Sequence, residues 1–415
     1  MSKLEARLQS LNQEKIDLGL DRLNEVLERL ALSLPETIIT VGGTNGKGSV
    51  VAALSALVSS TGTSFGAFTS PHIHRFNERI SVNGQSATDE DILSAFDRID
   101  QVRHDIHLSY FEYALLAALL VFVRHGLEVI ILEVGLGGRL DATNVLDADA
   151  AIITTVDLDH MDWLGDDIEQ IAAEKAGIIR PDQQVVYGGQ DVPHNILAKV
   201  AETGAHFFSP GRGFDIQSDP SGFSYLSEQH NFHNLPRPAL SGDWQIDNFA
   251  AALTALLSLG WLFSAEQLNQ ALKRMSVPGR LQTIQQAPLV LADVAHNRQS
   301  ATKLAEWLNN NPVAGHTRAV FSVLHDKQMA QWIEAFAEVV DHWFIFELST
   351  PRALSLTELK DQLTTQVTLI SQWKSGPEAY QRAVEVSQPD DRVVVFGSFH
   401  VLDEVFRDQQ VIFSP

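Results

Sequence analysis

The chain has no cysteine among its 415 residues. Disulfide cross-links and thiol catalysis are therefore excluded, and this composition is typical of a reducing compartment. Basic residues are also scarce, because 30 Lys and Arg stand against 52 Asp and Glu, for a formal net charge of -22. This balance argues against binding to bulk nucleic acid or to an anionic membrane surface. An anionic ligand would need a local positive site.

Long hydrophobic segments are missing as well. The longest apolar stretch, Ala114 to Val123, is far shorter than the roughly 20 residues that a membrane-spanning helix needs. Residues 1–30 mix charges of both signs with their apolar positions, unlike the apolar core of a secretory signal. We therefore expect a cytoplasmic protein that binds no membrane and no nucleic acid. At about 150 residues per domain, the length favours two domains.

A glycine-rich segment, Gly42–Ser49, is the strongest local signal. It follows a β-branched run that begins at Thr37 and precedes an apolar helical pattern, which is the setting of a phosphate-binding loop. Its backbone N–H groups and Lys47 can contact phosphates, and Ser49 offers a hydroxyl near magnesium. Gly48 separates Lys47 from Ser49, so this is a variant of the usual P-loop pattern. A tight turn without a ligand is the alternative.

Apolar runs alternate with helical patterns along the rest of the chain. The continuous run Val129–Val134 is typical of a central parallel strand, and Glu133 lies near its carboxyl end. Proline and glycine at 276–280 interrupt the pattern, after which the alternation starts again. The expected fold class is α/β, with an N-terminal P-loop domain at 1–278 and a smaller, Rossmann-like domain at 279–415. Predicted helices include 89–102, 110–124, 167–176, 247–259, 301–309 and 329–339; predicted strands include 64–69, 150–156, 184–187, 289–293, 318–324, 343–348 and 391–397; hairpins are expected in 209–234.

Three predicted strand ends carry ligands for a hard cation: Ser70, Glu133 and His160. Magnesium takes few protein ligands and keeps water or phosphate oxygens, so one hydroxyl, one carboxylate and one imidazole suffice. Ordinary loop residues are the alternative for Ser70 and His160. Lys175 follows Glu174 in a helical pattern, where a salt-bridged surface lysine is the default. A neutral lysine near metals could instead take up carbon dioxide as an anionic carbamate.

The second domain carries polar motifs directly after two of its predicted strands. Asp293-Val294-Ala295-His296-Asn297 follows one strand, and Gly397-Ser398-Phe399-His400 follows another. Functional loops of α/β domains lie at such strand ends, and with Arg280 these residues are candidates to enclose a nucleotide. Loop capping and turn hydrogen bonds are the alternative.

Taken in order, the motifs closely resemble one family over nearly the whole chain. This is the bacterial dihydrofolate synthase/folylpolyglutamate synthase family of the Mur-ligase superfamily. The resemblance depends on GGTNGKGS at 42–49, TSPHIHRFNERI from Thr69, LEVGLGGRLDATN from Leu132, LDHMDWLG from Leu158, EKAGI from Glu174, PGRLQ from Pro278, DVAHN from Asp293, LHDK from Leu324 and GSFHV from Gly397.

The resemblance implies a Mur-ligase-like fold and an ATP-dependent amide ligase. Such an enzyme joins L-glutamate to dihydropteroate and to reduced folates through an acyl phosphate, and releases ADP and phosphate. It further implies ATP as co-substrate, Mg²⁺ at two sites and a monomer. A proline is common in the family where this chain has Arg298, so the shape of that loop is an open question.

Site residues follow from the resemblance by position. The implied ATP contacts are Thr44, Asn45, Gly46, Lys47, Gly48, Ser49, Asn248, Arg280 and Asp293; the implied magnesium ligands are Ser70, Glu133, His160 and a carbamylated Lys175; the implied pterin contacts are Ile16, Asp17, Leu18, Ser109, Tyr110 and Asp141; and His296 and Ser398 are candidates for a glutamate or closure region.

Other functions compete with this one. A monofunctional folylpolyglutamate synthase shares the motifs, and a related Mur-type ligase would act on a cell-wall nucleotide precursor. The stretches Ile16–Arg22 and Phe76–Ile80 favour the folate branch. A nucleotide-gated binding module would need fewer cation ligands, and Gly135–Gly138 lacks the glycine spacing of a dinucleotide site.

Overall fold

The protein is described by a computed structural model that covers residues 2–11, 18–327, 329–364, 367 and 369–407. Internal contacts divide the described chain into two units. The first runs to Ala239 and adds Asp243–Ser276, and the second takes Leu240–Gly242 and the chain from Val277.

The first unit combines helices with one large sheet. Its helices are α1 Lys3–Gln9, α2 Asp21–Leu30, α3 Lys47–Ser60, α4 Asp89–Arg103, α5 Tyr110–Arg124, α6 Met161–Leu164, α7 Ile168–Ala176, α8 His194–Thr203, α9 Trp244–Ser258 and α10 Ala265–Arg274. Its strands are β1 Thr37–Gly42, β2 Phe65–Phe68, β3 Ile80–Val82, β4 Gln85–Ser86, β5 Val129–Glu133, β6 Ala150–Ile153, β7 Gln184–Tyr187, β8 His206–Pro210, β9 Gly213–Asp219, β10 Gly222–Ser227 and β11 Asn231–Leu235, with 3-10 turns at Phe76–Arg79 and Ala142–Val145.

Over the described residues, the strand order of this sheet is β11-β10-β9-β8-β7-β6-β1-β5-β2-β3-β4. Strands β2, β5, β1, β6, β7 and β8 are parallel neighbours. Strand β3 runs antiparallel to β2, and β9, β10 and β11 form antiparallel pairs. The order places β1, which leads into the glycine-rich loop, between β5 and β6. Ligands of open α/β sheets gather at the carboxyl ends of such central strands.

The apolar runs explain the position of these central strands. Every residue of β5 is buried, as its continuous hydrophobic sequence predicts. Ile130 and Leu132 of β5 pack into one apolar cluster with α4 and α5. Ala151 and Ile153 of β6 pack into a second cluster with α7 and α8. The ends of these strands are therefore held by a close-packed interior, which fixes the positions at which the following loops begin.

The second unit contains a smaller sheet with the order β12-β13-β17-β14-β15-β16 over the residues that the structure describes. Its strands are β12 Gln282–Gln286, β13 Leu289–Ala292, β14 Thr317–Phe321, β15 His342–Ile345, β16 Ile370–Gln372 and β17 Arg392–Phe396; its helices are α11 Arg298–Asn310, α12 Leu356–Thr364, α13 Gly376–Glu385 and α14 Phe399–Phe406. Strand β12 pairs antiparallel with β13, and the other neighbours are parallel. The predicted α/β class, with a large P-loop unit and a smaller α/β unit, is confirmed.

Most predicted elements agree with the structure, and one is wrong in type. Helix α5 and strand β7 have the predicted bounds, whereas β6 ends three residues early and α9 begins three residues early. The helix predicted at 329–339 is replaced by 3-10 turns at Met329–Gln331 and Ile333–Phe336. Between them the backbone of Trp332 leaves the helical region, with φ -134°, and its ring packs edge-on against Phe321 at 6.0 Å. In the described ranges, no helix is long and apolar enough to cross a membrane.

Candidate active site

The glycine-rich loop connects β1 to α3, as predicted. Gly43 has φ +141°, and a Cβ atom there would lie 1.9 Å from Oγ1 of Thr154. Gly46 has φ +91°, and a Cβ atom there would lie 2.7 Å from Oδ1 of Asn248. Only glycine fits both conformation and space at these two positions. The structure therefore brings Asn248, a predicted nucleotide contact on α9, against the loop.

Hydrogen bonds to the segment after β6 hold the loop in place. The N–H of Thr44 donates to the carbonyl of Thr155 at 2.8 Å, and Oγ1 of Thr154 donates to the carbonyl of Asn45 at 2.6 Å. Lys47 is the first residue of α3, and its Nζ donates to the carbonyls of Gly43 and Thr44 at 3.0 and 3.2 Å. The lysine is thus folded over the loop to which a phosphate would bind. The P-loop neighbours Thr154 and Thr155 had no predicted role.

Glu133 lies at the end of β5, directly beside the P-loop strand. It pairs with Val41 of β1 and is only 5% exposed. Its Oε2 accepts a hydrogen bond from the backbone N–H of Ser70 at 3.1 Å. Two of the three predicted magnesium ligands are therefore in contact. The contact uses the backbone of Ser70, so its hydroxyl is not consumed by it.

Lys175 is buried, which contradicts the default expectation of a salt-bridged surface lysine. It is 3% exposed on α7, and its neighbour Glu174 instead pairs with Arg139 at 2.8 Å. Within the described residues, its Nζ donates no hydrogen bond and forms no ion pair. Burial lowers the pKa of Lys175 to about 7, with the charge of Lys47 acting in the same direction and Asp159 and Asp141 opposing it. A large neutral fraction at neutral pH follows.

His160 directly precedes the short helix α6 as its N-terminal cap residue. Its backbone has φ +52°, and its N–H donates to Oδ1 of Asp159 at 2.8 Å. The Nε2 of His160 lies 4.0 Å from the same carboxylate oxygen. Asp159 also interacts electrostatically with Lys175, so these three side chains share one neighbourhood. Asp159 had no predicted role, although it directly precedes His160.

Asp141 is a second buried carboxylate near this edge. It accepts hydrogen bonds from the N–H of Leu136 at 2.8 Å and from the N–H and Oγ1 of Thr143 at 3.0 and 2.6 Å. Burial raises the pKa of Asp141, and these hydrogen bonds oppose the rise. Its electrostatic interaction with Lys175 places it beside the groups just described.

The other predicted pterin contacts are divided between two segments. Ser109 caps α5 and accepts from the N–H of Glu112 at 3.3 Å, and Tyr110 is the first residue of that helix. Leu18 precedes α2 and is partly exposed. Ile16 and Asp17 lie outside the described residues.

Arg79 is a further residue near the site that sequence reasoning missed. It ends the 3-10 turn Phe76–Arg79, is 8% exposed, and its guanidinium lies 5.4 Å from the centre of the Tyr110 ring. It also interacts electrostatically with Glu133. The motif that contains Arg79 was recognised, but nothing in its spacing shows that a charged side chain is buried there.

The donor set fits a magnesium ion shared with a nucleotide. Among the described residues, no group of three or more His, Asp and Glu side chains could hold a metal ion. Mg²⁺ is usually bound by one or two carboxylates plus phosphate oxygens and water. A single buried carboxylate, Glu133, beside a phosphate loop satisfies that requirement. A fully protein-made cage is not present in the described part of the chain.

In the second unit, the predicted residues mostly organise their own turns. Asp293 follows β13 and accepts the N–H groups of Leu281 at 2.8 Å and Ala295 at 2.7 Å. Burial raises its pKa, and the charge of Arg280 opposes the rise. The Nδ1 of His296 lies 2.7 Å from the carbonyl of Val294.

Helix caps account for two more polar residues of this unit. Ser398 caps α14 by accepting from the N–H of Val401 at 3.2 Å. Asn297 caps α11, which begins at Arg298, by accepting from the N–H of Ser300 at 3.0 Å. The guanidinium of Arg280 lies 5.3 Å from the ring of Phe399.

Both units match Mur ligase family models. The Mur ligase middle domain matches residues 41–256, and the Mur ligase glutamate ligase domain matches residues 279–399. These two matches define the class of protein.

Similar proteins narrow the class further. The dihydrofolate synthase/folylpolyglutamate synthase of Escherichia coli is 36% identical, over 96% of this chain and 93% of its own length. The structure of Escherichia coli FolC in complex with DHPP and ADP has a TM-score of 0.93 at 36% identity and covers 98% of this chain and 97% of its own. A bifunctional folylpolyglutamate synthase/dihydrofolate synthase with Mn, AMPPNP and L-glutamate bound has a TM-score of 0.92 at 36% identity, with 99% of both chains covered. The chain belongs to the dihydrofolate synthase/folylpolyglutamate synthase family of the Mur ligases.

Proposed function

We propose that this protein is an ATP-dependent ligase that joins L-glutamate to dihydropteroate and to reduced folates. The observation that carries the proposal is one neighbourhood at the carboxyl edge of the first sheet. A phosphate loop with Lys47, the buried carboxylate Glu133 and the buried lysine Lys175 meet there. The ligands described for its relatives are ADP with DHPP and AMPPNP with Mn and L-glutamate. They support this reaction, because they include its nucleotide product and its amino-acid substrate.

The chemistry must activate a carboxylate, because amide formation from a carboxylate in water is unfavourable. In the proposed reaction an oxygen of the acceptor carboxylate attacks the γ-phosphorus of ATP. The bond from that phosphorus to the bridging oxygen breaks, and an acyl phosphate and ADP result. The amine of glutamate then attacks the carbonyl carbon, loses a proton, and displaces inorganic phosphate. The protein contributes positioning and electrostatic stabilisation, as in other phosphoryl transfers.

In this mechanism, Thr44 to Ser49 bind the phosphates of ATP and Lys47 balances the charge that develops on them. Ser70, Glu133 and His160 would hold magnesium. When bound, the ion supplies positive charge to the phosphate oxygens and holds them in a reactive orientation. We propose two magnesium sites, whose protein ligands come from these three residues and from Lys175 as a carbamate.

Lys175 is suited to carbamylation for a physical reason. The reaction with carbon dioxide needs a neutral amine, and a pKa of about 7 makes that form abundant at neutral pH. The nitrogen forms a bond to the carbon of carbon dioxide and releases one proton to solvent, so the product is an anion that the charge of Lys47 stabilises. Carbamylated Lys175 would then help to hold magnesium with its oxygens.

The remaining predicted roles complete the proposal. Residues 1–278 form the domain that binds ATP and pterin, and residues 279–415 form the C-terminal Mur-ligase-like domain. Asp141 is buried and already accepts three hydrogen bonds, so it presents a fixed carboxylate toward a pterin. We propose that the enzyme is cytoplasmic and monomeric. The proposed assignments are Ile16, Asp17, Leu18, Ser109 and Tyr110 to pterin, Asn248, Arg280 and Asp293 to the nucleotide, and His296 and Ser398 to glutamate or closure.

The test incubates purified protein with magnesium ATP, L-glutamate and either dihydropteroate or tetrahydrofolate, and follows phosphate release and product mass. We expect one glutamate to be added to each acceptor with one phosphate released per amide. Addition to tetrahydrofolate alone would restrict the function to polyglutamylation. Phosphate release with a UDP-linked acceptor, but with neither folate, would contradict the proposal and favour a cell-wall ligase.

A further inference from the structure

Arg79 is a buried cation that the protein leaves mostly without hydrogen bonds. Its Nε donates to Nδ1 of His72 at 2.7 Å. Within the described residues, this is its one side-chain hydrogen bond, and none of its terminal nitrogens is in salt-bridge contact with a carboxylate. A guanidinium has five N–H donors, so the donors of both terminal nitrogens have no protein partner in the described chain. An arginine with 8% exposure in this condition is suited to a ligand.

The surroundings of Arg79 fix the plane and position of its charge. The bond to His72 holds the Nε edge, and the guanidinium lies against the ring of Tyr110 at 5.4 Å. The ring of Phe76 supports Tyr110 from the side, with the two centres 5.7 Å apart. The ordered guanidinium therefore has its terminal nitrogens as its remaining binding edge. Little side-chain entropy is left to lose when an anion binds.

The location of the terminal nitrogens of Arg79 indicates which kind of anion binds there. Arg79 interacts electrostatically with Glu133, the carboxylate beside the P-loop, and packs on Tyr110 at the start of α5. It thus lies between the proposed cation site and the proposed pterin site. The acceptor carboxylate must occupy this interval if its pterin end is near Tyr110 and its carboxyl end is to reach the γ-phosphate. A planar guanidinium pairs with a planar carboxylate through two parallel hydrogen bonds.

We propose that Arg79 binds the acceptor carboxylate that becomes phosphorylated. This inference rests on the proposed ligase function and adds a catalytic residue to it. The physical need is electrostatic, because a carboxylate must approach a γ-phosphate of the same charge sign. A fixed cation beside the carboxylate lowers that repulsion before the new P–O bond forms. Arg79 then remains beside the acyl phosphate while the amine attacks.

The experiment compares two acceptors that differ only in the carboxylate. One is dihydropteroate, and the other is its analogue in which hydrogen replaces the carboxyl group. Their binding to the full chain in the presence of magnesium ADP, and the binding of magnesium ATP alone, are measured by calorimetry for the wild type, Arg79→Met and Arg79→Lys. Methionine keeps the unbranched stem against Tyr110 and removes the charge, and lysine keeps the charge without the planar fork.

We expect Arg79→Met to weaken dihydropteroate binding about 10- to 100-fold, the usual range for a charge-assisted hydrogen bond. Binding of the decarboxylated analogue and of magnesium ATP should be unchanged. Arg79→Lys should lie between the wild type and Arg79→Met for dihydropteroate alone. The matched control is Arg75→Met, which removes an exposed arginine of the same loop that pairs with Asp89 at 3.2 Å. Arg75→Met should leave the binding of both acceptors unchanged.

Three results would overturn the role of Arg79. Equal weakening of both acceptors would mean that Arg79 acts only by supporting Tyr110. Weaker binding of magnesium ATP alone would mean that Arg79 contacts a phosphate. Unchanged binding of all three ligands would mean that Arg79 contacts none of them. Because the decarboxylated analogue reports on a folded pterin site in each variant, misfolding cannot imitate the expected pattern. Failure of the wild type to ligate glutamate would contradict the proposed function instead, and is measured in the same series.

Discussion

Polar motifs follow the strands of both sheets, but the two units use them differently. In the first unit, Lys175 and Arg79 are buried with charges that few or no hydrogen bonds within the described chain compensate. In the second unit, Asp293 accepts two backbone N–H groups and Ser398 caps a helix. A motif at a strand end can therefore serve a ligand or serve its own turn. Asp141 of the first unit is proposed to do both, because it accepts three hydrogen bonds from its own loop and is also assigned to the pterin.

The largest expected effect tests the first unit. Lys47→Ala should abolish ATP turnover, on the order of a 1,000-fold loss, because a positioned cation at the transferred phosphate is removed. Phosphate release with saturating acceptor and glutamate measures it. The control is Lys199→Ala, which removes an α8 lysine that pairs with Glu202 at 3.1 Å. Retained turnover in Lys47→Ala would show that the loop does not bind the γ-phosphate.

The lowered pKa of Lys175 predicts that stability depends on pH in the wild type, and that Lys175→Met lacks this dependence. Below pH 7 its amine is charged in both states. Between about pH 7 and its ordinary value of 10.5, the amine is charged only when unfolded, so the unfolded state binds more protons. The free energy of unfolding should rise with pH across this window, on the order of 4 kcal/mol relative to the methionine variant.

Denaturant unfolding in carbon-dioxide-free buffer from pH 6 to pH 10 measures this difference. Parallel stability curves for the wild type and Lys175→Met would contradict a buried amine with a lowered pKa. Adding bicarbonate should raise ligase activity in the wild type and leave Lys175→Met unaffected. If added bicarbonate does not change the activity of the wild type, this would argue against the carbamate.

Asp141→Ala should raise the KM for dihydropteroate roughly tenfold or more, as for loss of a charged hydrogen-bond partner. The KM for ATP should change much less, because the hydrogen bonds of Asp141 go to the segment after β5 and not to the P-loop. Steady-state kinetics with each substrate varied measures the split. Asp147→Ala is the control, since Asp147 is an exposed aspartate paired with Arg180. Equal loss of both affinities would contradict the division of roles.

The smallest expected effect is the loss of a helix cap in the second unit. Ser398→Ala should lower the free energy of unfolding by about 1 kcal/mol, the usual cost of losing a helix cap, and should raise the KM for glutamate slightly, because Ser398 is assigned to the glutamate or closure region. Ser375→Ala removes the matching cap of α13 and should lower the stability alike without changing that KM. An unchanged KM for glutamate in both variants would show that Ser398 serves only its own helix.

Much of the fold could be predicted because its signals are local. The P-loop needs glycines at Gly43 and Gly46 for backbone geometry, and β5 needs an uninterrupted apolar run because both of its faces are covered. The helix predicted at 329–339 failed because a local period cannot report a competing tertiary contact. Trp332 packs against Phe321 at the cost of helical backbone geometry.

The burial of particular charged side chains could not be predicted from the sequence. Lys175 and Glu174 are adjacent, yet Lys175 is buried and Glu174 pairs with Arg139. Arg79 lies in a recognised motif, and only the packing of Tyr110, His72 and Phe76 around that loop shows that its charge is enclosed. Both outcomes depend on residues that are distant along the chain.

The family, the α/β class and the glycine-rich loop between β1 and α3 follow from the sequence alone, because these depend on residue type at fixed local spacing. The tertiary structure decided which charges lose their water, and hence the lowered pKa of Lys175 and the open hydrogen-bonding edge of Arg79. Desolvation depends on every group that packs around a side chain. No local pattern contains that information.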